Sequence, residues 1–296
     1  MKRFVSEWIR KMQSIRTFKH SGNLGDIIYA LPTIMALGGG VLYIASGAYP
    51  PLISDEAPHP YPVSSEAVDQ MVALLKNQPY LQDVRPYQGE TIDYDLDRFR
   101  EHVVHDPALW RVHLAYWHLR TFHVPFDLCQ PWLFNMTPNR INDIVVTYSA
   151  INATHSVLSN WRALEDYLDK CIFLGFENEY DEFKKYTGLE INFFKVKNIV
   201  DLARIIKGSR LFIGNQCFGF ALAEAMKHPR VLLDVLRLRS NSLPQSCNGY
   251  IRLDKKIIEK YLLRRWIFSP PRFIDRLITK KMNDDYHKNI EGGAVC

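Results

Sequence analysis

No pair of cysteines in this chain has the spacing of a metal site or a redox motif. Cys129, Cys171, Cys217, Cys247 and Cys296 are scattered. None forms a Cys-x-x-Cys, and no histidine stands at finger-like spacing, so a zinc site is not expected. An odd, scattered set reads as reduced thiols of a cytosolic protein. Long apolar runs are also missing. No stretch approaches the roughly 18 residues that span a bilayer, and the N-terminus lacks a signal-peptide pattern. Runs of one charge are absent too. The 37 Lys and Arg against 32 Asp and Glu leave a net charge of +5, spread along the chain. That argues against a dedicated nucleic-acid binder. It suits a protein that meets phosphates or an anionic membrane surface.

What is present is a core-forming composition. The 296 residues suit one large domain or two ordinary ones, and the 16 Phe, 15 Tyr and 6 Trp can fill a sizeable interior. Residues 1–15 carry apolar positions at helical spacing with Lys2, Arg3, Arg10 and Lys11 opposite them. This is a helix packed on the body, with an interfacial membrane helix as the alternative. A strand ending near Phe18, a glycine turn, a helix over 27–37 stopped by Gly38-Gly39-Gly40, and a strand over 41–45 make a βαβ unit. Residues 46–66 read as a long surface loop, 67–77 as a helix, and 99–122 as a further helical stretch. After a linker near 131–140 the alternation resumes. Strands are expected at 144–148, 171–175, 191–194, 210–214 and 231–234, with helices at 161–168, 179–186, 199–207 and 220–226. Residues 257–277 read as basic, aromatic helix with a loose tail beyond.

Two stretches could carry chemistry. The first is His20-Ser21-Gly22-Asn23-Leu24-Gly25-Asp26. Glycines let a backbone turn tightly and approach a ligand, and the following helix offers free N–H groups and a positive dipole end. The spacing is neither a dinucleotide fingerprint nor a P-loop. Asp26 either caps that helix or faces a ligand, and spacing leaves both open. The second runs from Phe212-Ile213-Gly214 through Asn215, Gln216, Cys217, Phe218 and Gly219 into an alanine-rich helix. Ligands in open α/β sheets collect at the carboxyl ends of strands. The simpler reading is an ordinary βα connection with Gly219 chosen for packing.

Together, Gly25-Asp26 with Ala30-Leu31-Pro32, Phe212-Ile213-Gly214 through Ala225, and Phe173-Leu174-Gly175 with Glu179 and Phe183 resemble the heptosyltransferase-like glycosyltransferases. The resemblance runs in order over roughly 17–250. It implies an α/β chain of GT-B architecture, two Rossmann-like domains facing across a cleft. The expected division is an acceptor domain at 1–135, a nucleotide-sugar domain at 136–255, and C-terminal helices with a loose tail at 256–296. It implies an inverting, metal-independent glycosyltransferase that needs no cofactor. Such an enzyme moves a sugar from a nucleotide-diphosphate donor to a cell-surface glycan or lipid-linked acceptor, in the cytoplasm or peripherally at the inner membrane face. Asp26 maps onto the family's catalytic base. Gly214, Asn215, Gln216, Cys217, Phe218 and Gly219 map onto the donor turn, and Glu224 becomes a ribose ligand or a solvated helix position. The sequence departs from the family where an Asp-Thr/Ser-Gly and a following His are usual. Gln216, Cys217, Phe218 and Ala221 stand there, which points to a donor other than ADP-heptose. The same departure gives weight to one alternative, a non-catalytic sugar-nucleotide-binding module; a second, an epimerase or hydrolase of the same fold, is opposed by the retained Gly25-Asp26.

Around these, Ser149 and Arg162 are further donor candidates. His20, Gly22, Asn23 and Gly25 would line the acceptor side or the cleft. Asp95, Asp97, Arg98 and Arg100 read as a solvated face, with acceptor contact as the alternative. The histidines at 102, 105, 113, 118 and 123 are too irregular for a metal site.

Overall fold

The computed structural model describes residues 15–47, 62–103, 112–150, 160–233, 242–246 and 248–262. The expected helix over 1–15, most of the 46–66 loop and the chain beyond 262 lie outside them. The elements follow from patterning. β1 (Thr17–Ser21) and β2 (Gly40–Ala45) are β-branched and aromatic runs with alternating burial, as a half-covered strand requires. Between them α1 (Leu24–Ala36) is apolar almost all round and buried from Ile27 to Ile34, so it is an interior helix. α2 (Ser65–Leu75) starts where the Ser64 side chain accepts from the Ala67 N–H.

β3 (Leu81–Pro86) and β4 (Tyr94–Asp95) complete a parallel sheet in the order β3-β2-β1-β4. Neither was anticipated. β3 buries only Leu81 and Val84 and ends in proline, and β4 is two residues long, so neither shows a strand pattern. A 3₁₀ turn at Leu96–Arg98 leads into the short α3 (Phe99–Val103), and α4 (Leu114–Thr121) covers α1.

The second sheet is also parallel. It contains β5 (Ile144–Thr147), β6 (Cys171–Leu174), β7 (Asn192–Phe194), β8 (Leu211–Gly214), β9 (Arg230–Leu232) and β10 (Gly249–Tyr250), ordered β10-β9-β8-β5-β6-β7. β5, β6 and β8 are buried at every position, as strands covered on both faces must be. The covering helices are α5 (Glu177–Thr187), α6 (Ile199–Gly208), α7 (Phe218–Ala225) and α8 (Lys255–Leu262). Where a helix is expected over 161–168 the chain forms a 3₁₀ run, Trp161–Lys170, with a kink at Tyr167. β10 is too short for a sequence pattern to reveal.

The two halves share one of two apolar clusters; the other, around Ile144, Trp161, Phe173 and Phe183, lies in the second half alone. The shared cluster runs from Phe18, Ile28 and Leu42 through Trp132 to Phe212, Phe220 and Leu232. α1 packs on α7 and α2 on α6. The connection between the halves is pinned rather than loose. The Trp132 N–H donates to the Ala225 carbonyl at 2.9 Å and its own carbonyl accepts from the Tyr80 hydroxyl at 2.7 Å. Gln78 closes a two-way amide pair with the Phe134 backbone. The Lys227 ammonium stands 4.0 Å from the Trp132 ring centroid.

A cluster continuous across the two halves predicts their cooperative loss. Calorimetry should show one unfolding transition, not two. Trp132→Ala should cost roughly 3–5 kcal/mol and lower Tm without splitting that transition.

Candidate functional site

Each sheet reverses its strand order at one place, and both candidate stretches lie there. In the first sheet the reversal falls between β1 and β4, so the chain leaving Ser21 and the chain leaving Asp95 emerge side by side. In the second it falls between β5 and β8, where Thr147 is in register with Gly214. Crevices at the carboxyl ends of strands form at such switch points.

On the first side, β1 leads through Gly22 into α1. Gly22 has φ +125°, a conformation that excludes ordinary side chains. Asn23 caps α1 with its backbone only, Leu24 and Gly25 follow, and Asp26 lies in the first turn. Asp26 is therefore not the capping residue. Its side chain is 15% exposed, open enough to meet a ligand.

The neighbouring turn after β4 supplies the surroundings. Asp97 accepts from the Ser21 N–H at 3.0 Å, from the Ser21 hydroxyl at 2.6 Å and from Lys19 Nζ at 2.6 Å. Arg100 Nη1 donates to Asp97 at 2.5 Å, and Nη2 donates to the Ser21 carbonyl at 3.0 Å. The same Nη2 stands 3.9 Å from Asp26 Oδ2. Burial opposes the charge on Asp97. His20, Arg100, Lys19 and Ser21 outweigh it and hold the carboxyl well below the usual carboxylate range. Burial also pushes His20 down to about 4, so at neutral pH the cations that matter are Arg100 and Lys19.

This corrects the reading of that stretch as a solvated face. Arg98 is exposed and pairs with Glu101 at 3.6 Å, but Asp97 and Arg100 turn inward and bind the β1–α1 turn. The signal available in the sequence was their spacing of three residues around Leu96 and Phe99, both fully buried. His20 is corrected too. It is fully buried against Phe99 and His118 and lines no cleft. Asn23 is exposed beside Asp26.

On the second side the turn is held from within. The buried Asn215 side chain spans the β5 and β8 loops, accepting from the Ser149 N–H and donating to the Ser149 carbonyl, both at 2.8 Å. It fixes Ser149 and the turn, and its amide is occupied in doing so. Cys217 Sγ lies 3.0 Å from the Thr147 hydroxyl, and burial pushes its thiol up to about 11, so it is a thiol at neutral pH. Gly219 has no room for a side chain, since a Cβ there would meet Thr147 Oγ1 at 2.9 Å. Gly219 thus answers to packing, and lets α7 sit close on β5. Cys217 is the N-cap of α7 and makes no side-chain cap bond. Gln216 and Phe218 are half-buried and Arg162 is exposed.

Glu224 is neither a ribose ligand in reach of solvent nor a solvated helix position. It is fully buried, pairs with Arg230 and Lys227, and accepts from the Gln245 N–H at 3.2 Å. Burial raises its pKa, but Arg230, Lys227 and His113 overcome that and bring it down to about 2. Burial in turn lowers Lys227 to about 8 against the pull of Glu224. A carboxylate that does approach the donor turn is Glu179, at the mouth of β6. It accepts from the Phe176 N–H at 3.3 Å, its own pKa is raised by burial, and its charge is felt by Cys217.

The two sides meet at the α1–α7 contact. A methyl group built on Gly25 would lie 3.8 Å from the Ala221 β-carbon. The first turns of the two helices, one from each half, therefore converge with Asp26 beside them. Among the described residues no group of three or more His, Cys, Asp and Glu is arranged to hold a metal ion.

Two parallel sheets whose switch points face each other define the GT-B class of fold. The chain has the fold of a glycosyl transferase family 9 protein from Veillonella parvula, with a TM-score of 0.51 at 12% identity over 92% of this chain and 96% of that one. It is similar also to the ADP-heptose LPS heptosyltransferase II of E. coli, with a TM-score of 0.50 at 10% identity over 84% of this chain and 98% of that one. No family model and no curated protein matches the sequence.

The Glu224 cluster makes a testable statement about acid. Its folded pKa lies below the ordinary 4.5, so its stabilisation is present above that value and is lost as pH falls toward about 2. Glu224→Gln should cost roughly 3–5 kcal/mol at neutral pH, because Arg230 loses its buried counter-charge. In denaturant titrations it should also flatten the fall in stability between pH 4.5 and 2 relative to the parent.

Proposed function

We propose that the chain is an inverting glycosyltransferase that uses a nucleotide-diphosphate sugar and needs no metal. The observation that carries this reading is the convergence of Asp26 with the first turn of α7 across the α1–α7 contact. Asp26 would take the proton of an acceptor hydroxyl as that oxygen forms its bond to the anomeric carbon. The bond from the anomeric carbon to phosphate breaks on the opposite face, and the nucleoside diphosphate leaves with the electron pair. Free N–H groups and the positive end of α7, starting at Phe218, would stabilise that leaving charge. The acceptor would be a cell-surface glycan or its lipid-linked precursor, met in the cytoplasm at the inner membrane face. Because Glu224 is occupied by Arg230 and Lys227, a ribose contact falls to Glu179.

A second reading has its own observation. Asn215 is committed to Ser149, and Cys217 to Thr147, so the side chains of the donor turn are largely engaged internally. A sugar-nucleotide-binding module without catalysis would look the same. A thermal-shift screen against ADP-, UDP-, GDP-, CDP- and dTDP-sugars separates the readings from the rest. Ligand binding raises Tm by mass action, and no shift with any of them removes both. With the donor found, Asp26→Asn should leave that shift intact and lower transfer by about 10²–10⁴-fold. An unchanged kcat removes Asp26 as base, and no transfer by the parent protein favours the binding module. Glu179→Ala should weaken the donor shift and, by removing the acceptor for the Phe176 N–H, cost the free protein roughly 1 kcal/mol.

A further inference from the structure

We infer that Arg100 is a positioning residue for Asp26: anchored on Asp97 and the Ser21 carbonyl, its guanidinium holds the Asp26 carboxylate ionised and oriented without taking its lone pairs. This rests on Asp26 as the base. The geometry is specific. Arg100 is buried, with its side chain 5% exposed, and its fork is held on two sides. Nη1 binds Asp97 at 2.5 Å and Nη2 binds the Ser21 carbonyl at 3.0 Å. The guanidinium carbon also lies 4.7 Å from the Phe99 ring centroid. These contacts fix its position relative to β1, which leads into the turn that carries Asp26.

The remaining distance, 3.9 Å from Nη2 to Asp26 Oδ2, has a chemical meaning. It is too long for a direct hydrogen bond. It is short enough for a strong charge interaction in a partly buried site. A base bound directly by an arginine would spend its lone pairs on the fork. A base left alone among apolar groups would be driven toward its protonated form. A cation held one step away avoids both outcomes. Asp97 is essential to this arrangement, because its charge and its bonds to Ser21 and Lys19 keep Arg100 from closing onto Asp26.

Other ionisable groups surround the carboxylate. Lys19 and His20 act on Asp97 from β1, the buried His20 being neutral at neutral pH, and the His118 ring on α4 lies tilted against His20 with centroids 5.4 Å apart. Tyr29, on the same helix as Asp26, feels Asp26 together with Glu224, Cys217 and Arg230 from the second domain. Among these, Arg100 is the cation in an ion pair with Asp26.

The test needs no substrate. The Asp26 carboxyl ¹³C signal, assigned with Asp26→Asn, is followed through a pH titration. In Arg100→Gln the midpoint should rise by about one to three pH units, the span an opposite charge at this distance commands. Arg100→Lys, which keeps the charge, should restore most of the parent midpoint. An unchanged midpoint in a folded Arg100→Gln overturns the proposal. If that variant does not fold, the parent protein gives the answer: the Arg100 guanidinium ¹⁵N signals should move with the Asp26 midpoint, and Asp26→Asn should abolish that movement. Signals that ignore the midpoint overturn the proposal equally. A base role for Asp26 is judged separately by the loss of transfer in Asp26→Asn, so either idea can fail without the other.

Discussion

The contact between α1 and α7 is the constraint on which the site depends. Both helices begin at the carboxyl ends of central strands, and both are apolar enough to be buried along most of their length. The facing positions are small: at Gly25 a methyl group would make ordinary van der Waals contact with Ala221, 3.8 Å away. Close approach sets the position of each first turn relative to the other. Trp132 and its hydrogen bonds to both halves then hold the seam from behind. A site built from two domains gains its precision from such packing, since neither half contains it alone.

Two buried ionic clusters flank this seam, and they differ in a way that matters. Glu224 with Arg230 and Lys227 is closed: its carboxylate is fully buried and accepts from three groups. Asp97 with Arg100 and Lys19 is open at one end, because Arg100 also reaches toward the half-buried Asp26. Buried ion pairs give little net stability, since desolvation offsets the attraction, but breaking one is costly. Their effect is therefore on geometry. The closed cluster fixes the end of α7 to β9 and the chain after it. The open cluster fixes the β1–α1 turn and projects a charge into the site.

The elements legible in the sequence were those whose own pattern sufficed. α1, β2, β5, β6, β8 and α7 are runs long and apolar enough to declare themselves, and the glycine turn before Asp26 was visible by composition. β3, β4 and β10 were not, because an edge strand of two to six residues carries too little alternation. Burial of charge was the harder matter. Asp97 and Glu224 look like surface residues in sequence, since carboxylates normally are. Some partners are local, since Arg100 follows Asp97 by three residues and Lys227 follows Glu224 by three, but others are distant: Ser21 and Lys19 lie 76 and 78 residues before Asp97. No local pattern records such a pairing. Gly219, in the first turn of α7, carries both readings in the sequence, donor turn and packing, and the close approach of Thr147 accounts for the packing one.

These internal commitments also narrow how a donor could be held. With the Asn215 amide occupied by Ser149, the Cys217 thiol beside Thr147, and Gly219 bare, the donor turn has few side-chain groups left to offer a phosphate. What it retains is backbone: the N–H groups of the first turn of α7, where Cys217 makes no cap hydrogen bond although its sulfur faces the Gly219 and Phe220 N–H groups. Backbone donors recognise charge and position and are indifferent to the sugar attached. Selectivity for the sugar and the nucleotide would then have to arise elsewhere on the rim, where Glu179 stands at the mouth of β6 and Asn23 at the start of α1. A turn of this kind would let the fold be kept without the Asp-Thr/Ser-Gly usual in the glycosyltransferases that the sequence resembles. On the proposed reading the diphosphate contact would be made by the chain's course, leaving the residues along it free to change.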